Sequence, residues 1–362
     1  MTRRRKDIFH YIDSRGGMSF QQSAFNEVDA LILSVLAYLD FSFVKDGATV
    51  SLPDAAEAIR QMPDAVKYNG LTVGYMRSVV RLAEAAARSA RFREMKVFRY
   101  VNLIDEETEM QFSAVSFLLP DRTLFLSFRG TDNTLVGWKE DLNMGFMHGV
   151  PAQWEAVNYV VRSLSRVNLP FRLGGHSKGG NLAVWAGAHL PADCKRNLIA
   201  IYNNDGPGFD SDFLESAQYR AVRAKIASFV PASSIVGVLM EHDDYTTIRS
   251  SSLSFLQHDP FSWLVDGTRF FYADTRTTSG LRFETALNAW IRSLSAGERK
   301  TFVEYIYLII CASEAKTLQD LMRNKRRSLR SMRRSFVDME REKRSQLLDE
   351  IRRFTLRPET EW

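Results

Sequence analysis

Gly174-Gly175-His176-Ser177-Lys178-Gly179-Gly180-Asn181-Leu182-Ala183 is the stretch on which the fold turns. Its centre, Gly175-His176-Ser177-Lys178-Gly179, is a G-x-S-x-G pattern. A strand-like Phe171–Leu173 precedes it, and an alanine-rich run, Lys178–Leu190, that reads as a helix follows. A serine between such glycines fits a sharp strand-to-helix turn, because side chains on either flank would collide with neighbouring backbone. The turn lifts the Ser177 hydroxyl above the sheet edge. It also leaves the Lys178 N–H at a helix start, where developing negative charge is favoured. A phosphate-binding glycine turn is the plainer alternative, but neither a Walker lysine pattern nor G-x-G-x-x-G accompanies it.

The flanking sequence repeats the same grammar. Val97–Val101, Phe112–Leu119 and Leu124–Phe128 are β-branched and aromatic runs separated by polar turns. A helix is predicted at Gln153–Arg166, then strands at Leu198–Tyr202 and Lys225–Val230, with Ile235–Met240 also strand-like. Strands alternating with helices after Phe171 imply an α/β fold, a mostly parallel sheet covered on both faces. The first ninety residues read as helices, with Pro53-Asp54 in the first turn of one. After about Arg276 the strands stop, and Leu281–Leu294 and Ala296–Ala312 read as helices. The expected organisation is an N-terminal helical segment over 1–94, a core over 95–276 and a helical extension over 277–362.

Composition sets the outer bounds. The 362 residues are 45% hydrophobic and 25% charged, near the globular average, which excludes collagen-like and disordered classes. Cys194 and Cys311 lack CxxC or Cys/His spacing and are expected to be buried and reduced, which points to the cytoplasm. No signal peptide is apparent, and the most apolar stretches are too short to span a bilayer. No cluster has metal-ligand spacing, so neither metal nor cofactor is expected. The net charge of +5 is concentrated: Arg323–Arg357 carries 13 Lys/Arg against 5 Asp/Glu. Within that basic tail Leu318, Met322, Leu329, Met332, Phe336, Met339, Leu347, Ile351 and Phe354 recur as one roughly heptad-like apolar stripe.

A second constellation lies upstream, where Leu124–Phe128 runs into Arg129-Gly130-Thr131-Asp132, followed by Trp138 and Asp141. A strand ending in Arg-Gly-Thr can complete an oxyanion hole, with the Thr131 N–H and hydroxyl facing the same oxygen as the Lys178 N–H. The simpler reading is a turn in which Asp132 caps the next helix.

The pairing of Phe-Arg-Gly-Thr with Gly-His-Ser-x-Gly-Gly-x-Leu-Ala resembles class 3 (fungal-type) lipases of the α/β-hydrolase superfamily. More closely, the chain resembles a bacterial lipase-like family labelled Mbeg-like. That likeness rests on Phe25-Asn26-Glu27-Val28-Asp29, Tyr38-Leu39-Asp40-Phe41, Gly130-Thr131-Asp132-Asn133-Thr134, Gly137-Trp138-Lys139-Glu140-Asp141, His176-Ser177-Lys178-Gly179-Gly180-Asn181, Asn204-Asp205-Gly206-Pro207-Gly208-Phe209 and Gln257-His258-Asp259. It spans about Phe25 to Arg276, and implies an α/β-hydrolase fold with serine hydrolase activity. Two departures from class 3 lipases stand out. Lys178 replaces an apolar residue, where its cation would favour acidic substrates or point away. No carboxylate stands near Ser233-Ser234-Ile235-Val236, where those lipases carry the acid.

The order nucleophile, acid, base in α/β-hydrolases leaves few candidates. His189 lies on the helix after Ser177, so the base is His258 or His242. His258, in the loop-like Gln-His-Asp-Pro, is favoured over His242 beside Asp243-Asp244. For the acid, Asp205 and Asp243 compete, with Asp259 third. The expected activity is hydrolysis of a small-molecule or lipid carboxylic ester. The alternative is a catalytically silent scaffold that acts as a binding or interaction protein. The basic helix is expected to dock its stripe on its own domain or on a second copy, giving a homo-oligomer. Nucleic acid or an anionic membrane is the other partner such a helix suits.

Overall fold

Leu124, Leu126 and Phe128 face one hydrophobic cluster and Phe125 faces another, so this strand is buried on both sides. The computed structural model describes residues 6–66, 71–132, 134–144, 147–165, 167–313, 315 and 325–355. Among the described residues one sheet has eight strands in chain order: β1 (Thr49–Ser51), β2 (Lys96–Asp105), β3 (Met110–Leu118), β4 (Leu124–Phe128), β5 (Phe171–His176), β6 (Leu198–Asn204), β7 (Ile226–Pro231) and β8 (Thr246–Ile248). Strands β1 to β4 pair antiparallel, and β4 to β8 pair parallel. The expected parallel neighbours are present, with Phe171 opposite Leu198 and Leu173 opposite Ile201. A short hairpin, β9 (Val265–Asp266) and β10 (Arg269–Phe270), lies outside the sheet.

Helices cover both faces. One face is packed by α1 (Ile8–Arg15), α2 (Glu27–Leu36), α3 (Leu52–Gln61) and α4 (Val73–Arg88). The N-terminal segment is therefore not purely helical, because β1 sits between α2 and α3 and pairs with β2. Within it a fully buried ion pair ties α2 to the residues that lead into β2. Arg91 donates to both Asp29 oxygens, from Nε at 2.7 Å and Nη2 at 2.5 Å, and Tyr11 adds a hydrogen bond to Asp29 at 2.8 Å. On the other face lie α6 (Pro151–Leu164) and α7 (Lys178–His189), reached through α5 (Leu135–Asn143).

Short turns α8 (Ala192–Lys195), α9 (Ser211–Leu214) and α10 (Ala217–Arg220) precede α11 (Thr278–Ser293) and α12 (Ala296–Cys311). The basic tail forms two helices, α13 (Lys325–Asp338) and α14 (Arg341–Thr355). Leu318 and Met322 of the expected stripe, and Arg323 and Arg357 at the ends of the basic tail, lie outside the described residues. The stripe does not pack as one: Leu347 is buried, but Leu329 is 55% exposed. Two other expectations are corrected. Ile235–Met240 holds a 3-10 turn, Val236–Val238, in place of a strand. Cys194 and Cys311 are half-buried free thiols, not core residues.

Candidate active site

Sterics hold Ser177 in an uncommon backbone conformation. Its φ is 59° with ψ −137°, a region that β-carbon-bearing residues avoid. The glycines on either side are required by close approach: a Cβ on Gly175 would sit 2.2 Å from the Gly179 carbonyl carbon, and one on Gly179 would sit 2.1 Å from the Phe128 carbonyl oxygen. The ends of β4 and β5 and the start of α7 therefore meet backbone to backbone. The Ser177 N–H donates to the Asn204 carbonyl at 2.9 Å, tying the turn to β6.

Asp205 follows directly on β6, also at positive φ (56°), and its N–H donates to the Phe229 carbonyl at 2.8 Å. The loop after it is pinned from α7, where the Asn181 amide donates to the carbonyls of Pro207 (3.1 Å) and Gly208 (2.9 Å). Gln153 on α6 fixes that amide by donating to its oxygen at 2.8 Å. The Asp205 side chain is fully buried. One oxygen accepts from the Ser234 hydroxyl at 2.7 Å and lies 2.7 Å from His258 Nδ1. Ser234 comes from the stretch that has no carboxylate of its own, and it supports one supplied by the neighbouring strand.

His258 ends a 3-10 turn, Ser254–His258, and its side chain is 27% exposed. Beneath it lies His176, with ring centroids 4.6 Å apart. His176 Nε2 is 2.9 Å from the His258 carbonyl, which can only accept, so Nε2 carries the hydrogen. Its Nδ1 then accepts from the Tyr38 hydroxyl at 3.1 Å. Burial, with His258 alongside, holds the His176 pKa well below the ordinary value, and the neutral ring is the form this arrangement needs.

The opposite wall is a charge cluster. Lys178 Nζ is buried and donates to Glu140 (2.5 Å) and to the Gln111 carbonyl (2.8 Å), with Asp141 at 3.7 Å. Its cation is neutralised by protein carboxylates, so the expected attraction for acidic substrates does not arise. The backbone N–H of Lys178, at the first position of α7, has no acceptor four residues back within the helix. Thr131 donates its hydroxyl to Asp141 Oδ2 at 2.5 Å, which commits that hydrogen and leaves the backbone N–H as the group to consider. Burial pushes Asp141 up to about 6, against the pull of Lys178. Asp132 does not cap α5. Thr134 does, accepting from the Gly137 N–H at 3.1 Å, while Asp132 holds Thr134 and pairs with Arg129 at 3.2 Å.

Ser177, His258, Lys178 and Thr131 all line one cavity of about 590 Å³, whose other walls include Tyr38, Tyr75, Trp138, Leu142, Leu239 and Phe261. Of the rival assignments Asp259 also lines this cavity, whereas His242 and Asp243 lie elsewhere. His242 is half-buried, its pKa lowered to about 4 by desolvation, and Asp243 is engaged by Arg223 and Tyr219; neither lines this cavity. Asp259 accepts from the Phe261 N–H at the start of a short turn. Among the described residues no group of His, Cys, Asp and Glu is arranged to hold a metal ion. Sequence reasoning missed Ser234, His176, Tyr38, Asn181 and Glu140 as supporting residues. His176, Tyr38, Asn181 and Glu140 each stand inside a motif of the family resemblance, and Ser234 stands in the stretch that lacks a carboxylate.

A mostly parallel sheet, with the serine turn after β5 and the carboxylate after β6, is the α/β-hydrolase fold. Residues 86–308 match the Mbeg1-like family, and the chain belongs to it. Two solved lipases are similar at low identity. M37 lipase is 12% identical with a TM-score of 0.38, the match covering 58% of this chain and 69% of that one. The lipase from Rhizopus microsporus var. chinensis is 15% identical with a TM-score of 0.33, covering 62% of this chain and 91% of that one. No curated protein matches the sequence.

Proposed function

We propose that the protein is a serine hydrolase acting on a carboxylic ester with an apolar acyl group, through Ser177, His258 and Asp205. The observation that carries this reading is the 2.7 Å contact between His258 Nδ1 and the buried Asp205 carboxylate, on the cavity that also holds the strained Ser177. With Nδ1 engaged by Asp205, Nε2 is the nitrogen free to take the Ser177 proton as its oxygen attacks the ester carbon. Asp205 orients the ring and stabilises the imidazolium. The tetrahedral oxyanion is received by the backbone N–H groups of Lys178 and Thr131, and collapse expels the alcohol, which takes the proton from His258. Water then repeats the sequence on the acyl-enzyme. The apolar lining of the cavity favours an alkyl acyl group over a charged one.

We place this activity in the cytoplasm, on the free thiols Cys194 and Cys311. Among the described residues no helix is long and apolar enough to cross a membrane.

The test is labelling with a fluorophosphonate probe, followed by a panel of p-nitrophenyl esters of graded chain length, on wild type and Ser177→Ala. The reading requires labelling at Ser177 and turnover that vanishes in the variant. Absence of both from folded wild-type protein would leave the silent-scaffold alternative standing.

A further inference from the structure

Away from the cavity, α13 carries six Lys/Arg against a single carboxylate. Arg326, Arg327, Arg330, Arg333 and Arg334 are all exposed, and Asp338 is the one acidic residue of the helix, 3.6 Å from Arg334. The apolar residues of this helix are not all turned inward. Leu329 is 55% exposed and Val337 54%, while Ser328 is buried. At 100° per residue, Leu329, Arg326, Arg330, Arg333 and Val337 fall on one outward face, and Ser328 and Ser335 fall on the opposite one. The helix thus presents two bare aliphatic side chains inside a field of guanidinium groups.

That face connects to the cavity through packed helices. α13 lies on α12, which presents its own exposed Leu308 (58%), and α12 lies on α5. Lys139 of α5 sits over the Tyr307 ring of α12 at 4.4 Å. The neighbours of Lys139 on α5, Trp138 and Leu142, line the cavity and are 45% and 46% exposed.

We propose that the outer face of α13 docks the protein on a bilayer surface bearing anionic phospholipid. The arginines match the charge of such a surface, and Leu329 and Val337 supply the second signal, insertion below the headgroups. Phosphates of a nucleic acid would be met by the arginines alone and would give the two aliphatic side chains nowhere to go. The inference does not rest on the proposed hydrolysis, because binding is read directly.

The experiment is co-sedimentation of the full chain with vesicles of phosphatidylcholine, with and without about 30 mol% phosphatidylglycerol, at low and high salt. Two variants, Arg330→Ser/Arg333→Ser/Arg334→Ser and Leu329→Ser/Val337→Ser, are compared with wild type, which is also tested in the presence of duplex DNA. The expected result is retention on anionic vesicles about 10-fold or more above neutral ones, weakened by salt and lost in both variants, each with an unchanged melting temperature. Equal retention on both vesicle types would overturn the proposal. So would full binding by the Leu329→Ser/Val337→Ser protein together with displacement by DNA, because the face would then be a general polyanion site. If the arginine variant does not fold, the aliphatic variant decides alone.

Discussion

The two walls of the cavity are built on opposite principles. On the side of His258 the polar groups are few and neutral around one buried carboxylate: Ser234 on Asp205, Asp205 on His258, and Tyr38 on His176. On the side of Thr131, a lysine and two carboxylates are gathered with the Gln111 backbone, held by contacts reaching to α6. The first wall keeps its base partly open to the cavity and able to change charge. The second has its charges closed on each other: Lys178 pairs with Glu140 and Asp141, and Thr131 donates to Asp141, all on the cavity wall. A group that must move a proton needs a light environment, whereas dipoles that must stay fixed can rest on buried charge.

Variants can separate the two walls. The largest effect is expected from Ser177→Ala and His258→Ala, each lowering turnover on an activated ester on the order of 10⁴-fold or more, with little further loss when combined. Asp205→Asn should come next, on the order of 10³–10⁴-fold in turnover with the fold intact by circular dichroism. Comparable activity to wild type would remove Asp205 from the mechanism. On the other wall the leading effect should be on stability. Lys178→Met leaves Glu140 buried without its cation, a loss of about 3–5 kcal/mol that calorimetry would show as a lowered melting temperature. A variant as stable as wild type would mean that the charge cluster does not support the wall.

Thr131→Val should cost about 10–100-fold in turnover, because it strips Asp141 of a donor while leaving the Thr131 backbone N–H in place. The smallest effect is a pH dependence. Asp141 titrates near 6 in the fold against an ordinary 3.8, so its ionisation is harder folded than unfolded. Its contribution to stability is full below about 4 and is lost as pH rises through 6. The difference in melting temperature between wild type and Asp141→Asn should fall across that window and then level off. A difference that grows with pH would reverse the assignment.

The sheet was legible where two periodicities agreed. Phe171–Leu173, the serine turn and the helix after it read directly, because a strand buried on both faces and a glycine-bracketed turn each leave a composition mark. Asp205 and His258 were accessible through chain order, and the structure brings their side chains together. What stayed hidden has physical reasons. Ile235–Met240 has the apolar run of a strand, yet Gly237 must lie against Asp205, where a Cβ would come within 2.1 Å of Oδ1, and the backbone turns to allow it. β1 is three residues long and offers no alternation to read. The basic stripe was ambiguous because seven-residue spacing marks a shared face without saying which face is covered.

The Asp29–Arg91 pair has a consequence for how this architecture can be divided. Arg91 lies inside the span that matches the family, and Asp29 lies before it. A fragment cut to residues 86–308 would keep a guanidinium built for burial and discard its carboxylate. It would also strip α1, α2, α3 and all but the last three residues of α4 from one whole face of the sheet. Sequence kinship and the unit that can fold therefore have different borders here. Any attempt to transplant this framework, or to pare it down, has to carry the N-terminal helices as part of the hardware.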